Sequence, residues 1–206
     1  MVTVGRNYKD YREIADRVED DYYIFQRGNR HLQLQIDYLT GAVHATSDKY
    51  ERVANLYLLC QAMRTLHAEM GGGVTHLLEE IVENVNILYK LCDFDPLSIS
   101  SCALFYFYDI GDVETAARMI TYAAFVAERE RVLVRHAHQN LVRIVSKSKD
   151  PGIMESSVRR LTEYVPPTES PDPSLENDIF EIVKMTNLDD NIKERFLRLS
   201  DLPGMA

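Results

Sequence analysis

Residues 96–128 constrain the fold more than any other stretch. Pro96-Leu97-Ser98-Ile99-Ser100 opens the stretch, an apolar run fills 102–108, and Asp109-Ile110-Gly111-Asp112 leads into residues 113–128. Pro96 suits a helix first turn, where its missing N–H is no loss. Gly111 suits the left-handed residue that follows a helix end. Asp112 can cap a second helix, its carboxylate accepting free N–H groups. On that second helix Val113, Ala116, Ile120, Ala123 and Ala127 share one face at three- and four-residue spacing. The alanines allow two helices to approach closely, so the stretch reads as an antiparallel α-hairpin.

The chain has 206 residues, enough for one domain with a sizeable core, or a domain plus an appendage. Its apolar content of 46% belongs to a folded protein. A net charge of −9 argues against general nucleic-acid affinity. Cys60, Cys92 and Cys102 show no CxxC spacing and there is no apolar leader at the N-terminus. Together these predict reduced thiols in an intracellular, cytoplasmic setting. No stretch reaches the ~18 apolar residues of a membrane span, so no membrane partner is expected.

Residues 7–18 read as a short amphipathic helix, with Tyr8, Tyr11, Ile14, Ala15 and Val18 on one face. Residues 22–38 then read as a β-hairpin. Tyr22-Tyr23-Ile24-Phe25 is β-prone, Gly28-Asn29 is a turn signal, and Leu32, Leu34, Ile36 and Tyr38 alternate with polar residues. A helix–turn–helix through Gly28 is the competing reading. A lone hairpin is marginal in water. Its uncharged edge makes Leu32, Leu34, Ile36 and Tyr38 the expected oligomerisation residues.

A long helix is expected from about 48 to 70, capped by Ser47, and apolar around much of its girth through Tyr50, Val53, Leu58 and Met63. Gly71-Gly72-Gly73 reads as a joint, because no Lys-Ser or Lys-Thr follows as a phosphate loop needs. The next helix spans 75–91. After Glu128 a helix over 129–149 turns basic, with Arg131, Arg135, Arg143 and Lys147 spaced along one stripe. The stripe is the expected partner-binding surface. A shorter helix covers 153–164. Residues 166–173 form a stiff proline-rich linker. Beyond it, two short helices lie in an acidic segment over 174–206; residues 172–201 hold eight acidic residues against four basic ones. The expected organisation is a helical domain over 1–165, the linker, and this acidic segment.

Two resemblances follow from particular residues. Phe107, Gly111-Asp112, Ala116, Ile120 and Ala123 fall at spacings that resemble one tetratricopeptide hairpin over 98–128. Ser100, Leu104 and Glu128 depart from that pattern, and no second copy appears at the ~34-residue period. The resemblance implies a protein-binding helical array. Arg131 and His136 resemble the Arg-x4-His motif of HEPN-domain ribonucleases, with Val132 where a polar residue is usual. That resemblance implies RNA cleavage, with His136 in acid–base work and Arg131 stabilising phosphate.

His136 and His138 are two apart and cannot jointly chelate one metal, so no metal or cofactor is expected. The sequence therefore reads as mostly α, an antiparallel helical bundle or α-hairpin array with an N-terminal β-hairpin. The expected function is a non-catalytic protein–protein interaction or assembly module that self-associates. The alternatives are a HEPN-like ribonuclease using Arg131 and His136, and nucleic-acid binding or viral packaging by the basic helix.

Overall fold

The computed structural model describes residues 8–28, 30–163, 176–186 and 189–197. The chain divides into two compact units, Met1–Ser98 and Ile99–Ala206.

In the first unit, α3 (Lys49–Glu69) is the central element. Against it pack α1 (Tyr8–Gly28), α2 (Leu32–Ala45) and α4 (Thr75–Leu91). Burial on three sides explains why α3 is apolar around its girth: Val53, Leu56, Leu59, Cys60 and Met63 are all buried. Burial pushes the Cys60 thiol up to about 12, so it is an inert core group. Asp48, not Ser47, caps α3, accepting from the N–H groups of Tyr50 at 2.8 Å and Glu51 at 3.1 Å. Tyr11, Tyr50 and Phe94 meet edge to face, with centroids 4.5–5.8 Å apart. Beneath them Asp95 is almost fully buried and accepts from the N–H groups of Leu97 and Ser98, starting α5 (Pro96–Phe105).

The expected β-hairpin is not formed: the described residues contain no strand, 22–28 belong to α1 and 32–38 to α2. Three features decide for helix. The buried stripe Tyr11, Ala15, Val18, Tyr22 continues at helical spacing past Val18. In α2 the buried set is Gln35, Ile36, Leu39 and Val43, again at helical spacing. Leucine and glutamine are good helix formers, and Ile36 is the lone β-branched residue in 30–38. The alternation of Leu32, Leu34, Ile36 and Tyr38 is incidental to that longer period. Gln35 is buried because the Tyr22 hydroxyl donates to its Oε1 at 2.9 Å.

In the second unit, α5 runs into a π-helical turn (Tyr106–Ile110), and Gly111 closes it at φ +78°. Asp112 caps α6 (Val113–Glu130), accepting from Thr115 N–H at 3.0 Å. The small-residue face of α6 is buried at Ala116, Ile120, Ala123 and Ala127 and half-buried at Val113. It packs on α7 (Val134–Val145) and α8 (Pro151–Glu163). Then α9 (Glu176–Met185) lies on α7, and α10 (Asp190–Leu197) on α8 and α9. Ile179, Ile182 and Phe196 are buried there, and Ser146 Oγ and Lys147 Nζ donate to Asp178 at 2.9 and 3.1 Å. The proline-rich stretch at 166–173 lies outside the described residues.

The expected basic helix over 129–149 is interrupted. Arg131 stands in the left-handed region at φ +57°, and Leu133 at φ +53°. Arg131 and Val132 close α6 in a Schellman turn: Val132 N–H donates to Ala127 O at 3.0 Å and Arg131 N–H to Glu128 O at 3.3 Å. Glycine is the usual residue at that position, and an L-side chain there costs about 1 kcal/mol. Arg131→Gly is therefore expected to leave stability unchanged or raise it by up to about 1 kcal/mol, read as the urea midpoint. Arg131→Val, β-branched in the same conformation, is expected to lower it.

Candidate functional site

The residues expected to act are dispersed. Arg131 ends α6 and His136 sits in the first turn of α7, where its Nε2 meets Asn140 Nδ2 at 3.1 Å. Among the described residues no hydrogen bond or ion pair joins Arg131 to His136. Arg135 and Arg143 are exposed on α7, and Lys147 follows the helix end, paired with Asp178. The stripe of four is thus not one helical face: the left-handed corner removes Arg131, and the α9 carboxylate neutralises Lys147. Among the described residues, no group of three or more His, Cys, Asp or Glu is arranged to hold a metal ion.

Nearby, Glu128 lies between His138 Nε2 at 2.9 Å and Arg160 Nε at 2.9 Å, all three mostly covered. Burial pushes the Glu128 carboxyl up, but hydrogen bonds from His138 and Arg160 outweigh it and hold the group below the ordinary carboxylate range. Arg160 also lies over the Phe125 ring, 5.3 Å from its centroid. The two ion pairs of Glu128 tie α6, α7 and α8 together. A concavity of about 360 Å³ at the α2–α3 turn is lined by Ala42, Ala45, Thr46, Ser47, Asp48 and Glu51. Its Asp48 is committed to capping α3 and its Glu51 accepts from Thr46 at 3.1 Å.

The outer face of α1 and α2 differs from both. Ile24 is 68% exposed, Tyr23 49%, Leu34 50% and Tyr38 39%. On α1, Asp20, Tyr23, Ile24 and Arg27 fall at i, i+3, i+4 and i+7, opposite the buried stripe. On α2, Leu34 and Tyr38 fall at i and i+4. Phe25 stacks on Tyr38, centroids 4.2 Å apart and planes 13° from parallel, joining the two helices. Of the four expected oligomerisation residues, Ile36 is buried, Leu32 is half-buried, and Leu34 and Tyr38 point outward. The sequence reading missed Asp20, Tyr23, Ile24 and Arg27 as a set. Continuing the Tyr11–Val18 period into Tyr22 would have placed them on one face.

No described helix is long and apolar enough to cross a membrane. The chain is all-α over its described residues. No protein-family model, curated protein or solved structure matches it.

Proposed function

We propose that this protein is a non-catalytic interaction module, an all-helical scaffold that binds a protein partner through the outer face of α1 and α2. The observation that carries the reading is the exposure of Tyr23, Ile24, Leu34 and Tyr38 on two helices already joined by the Phe25–Tyr38 stack. Scattered exposed apolar residues need no explanation, but aromatic and aliphatic side chains recurring at helical spacing on an outward face are the types that interface centres are made of. Supporting it, α1 and α2 are each anchored on α3 by their opposite faces, so the outer side chains are presented on a fixed frame. Three cysteines, all free and buried, fit a reducing, cytoplasmic setting.

Ile24→Asp tests the reading. The side chain is mostly in water, so unfolding free energy should change by no more than about 0.5 kcal/mol. Binding of the intact chain to a protein partner, its own copies included, should be lost, while Arg143→Glu on α7, in the second unit, leaves it intact. Unchanged binding in Ile24→Asp removes the reading.

A further inference from the structure

Resting on the interaction reading above, we propose that the partner is a second copy of this chain, with two α1 helices crossing antiparallel on a two-fold axis at Tyr23 and Ile24. The charge order along the stripe carries this. Asp20 stands one turn before the apolar pair and Arg27 one turn after it. Both side chains are exposed, and neither has an ion-pair partner among the described residues. An acid–apolar–apolar–base order is complementary to itself only when reversed. In an antiparallel pair Tyr23 of each copy meets Ile24 of the other, and Asp20 of each copy meets Arg27 of the other. A two-fold axis repeats every contact, which is the self-matching expected of an isologous interface. A parallel pair would set Asp20 against Asp20 and Arg27 against Arg27. The charges thus select orientation and register, while the apolar centre supplies adhesion.

On α2, Leu34 and Tyr38 are exposed as well, Tyr38 stacking on Phe25, which lies on the other side of α1 from the stripe. The patch is small, so the dimer belongs among weak, reversible associations, with dissociation constants on the order of micromolar.

Complementary charge reversal tests the pairing. Sedimentation velocity from about 1 to 200 µM in low salt should show the full chain dimerising. Asp20→Arg alone faces Arg27 of its own kind twice, and Arg27→Asp alone faces Asp20 twice. Each should self-associate about tenfold more weakly or worse. An equimolar mixture of the two variants, one carrying a mass tag, should form the mixed dimer in native mass spectrometry, because both cross-pairs are then opposite in sign. The double variant Asp20→Arg/Arg27→Asp should dimerise like the natural chain. Circular dichroism melts establish that each variant is folded.

Single variants that dimerise like the natural chain, or a mixture without mixed dimer, overturn this pairing. A natural chain that stays monomeric throughout the range overturns self-association altogether. In that case the broader reading still stands or falls separately, on whether another protein binds in an Ile24-dependent way.

Discussion

Phe196→Ala is expected to lower the unfolding free energy by about 3–5 kcal/mol, the range for emptying a fully buried phenylalanine site. Phe196 has no exposed surface, although it lies on α10, a helix of eight residues. A helix that short has no stability of its own in water. Its order comes from docking on α8 and α9, and Phe196 is its largest fully buried side chain. Asp189 starts the helix by accepting from Ile192 N–H at 2.9 Å, but a cap contributes only about 1 kcal/mol. Without the ring, α10 should detach. Urea unfolding gives the magnitude, and limited proteolysis should then cut within 190–197 first. A variant as stable as the natural chain would mean that α10 is not docked.

Glu128→Gln should cost about 2 kcal/mol near neutral pH, since it leaves Arg160 and His138 against a neutral amide. The sign of the pH dependence follows from the depressed carboxyl. In the folded chain Glu128 holds its proton less readily than in the unfolded chain. Its contribution is therefore fully present above the ordinary carboxylate range and is lost as pH falls through the folded value. The gap between natural chain and variant should narrow in acid and be constant above it. Denaturant midpoints for both proteins across pH read this directly, and a gap that widens in acid would contradict the ion-paired arrangement.

The legible parts of this fold were those where side-chain chemistry dictates backbone geometry. Gly111 and Asp112 marked a turn because a left-handed residue and a carboxylate cap each have a local physical requirement. The α6 core face was legible because alanine and isoleucine at helical spacing leave few alternatives. The end of α1 was lost because Tyr22-Tyr23-Ile24-Phe25 favours strand locally, and packing on α3 overrode that propensity. The α6–α7 corner was illegible for the opposite reason. Arg131-Val132-Leu133 contains no glycine, asparagine or proline, so nothing in it signals a break. The outward face of α1 depended on the same segment. While 22–38 reads as strands, Asp20, Tyr23, Ile24 and Arg27 do not share a side. Burial of Ile36 could not be read from an alternation that treats it as equivalent to Leu34.

The π-helical turn at Tyr106–Ile110 bears on how the chain length can vary in descendants of this sequence. An i→i+5 turn accommodates one residue more than the α-helical turn it replaces. One residue in this segment is therefore surplus to the helix geometry. Tyr108, Asp109 and Ile110 are exposed, so losing one of them tightens the turn to an ordinary α-turn without opening the core. The same deletion inside α6 would rotate every later residue by about 100°. Ile120, Ala123 and Ala127 would then leave the buried face. Single-residue deletions should be tolerated at 108–110 and selected against from 114 to 126, which makes the π-turn the place where this helical array can change length by one.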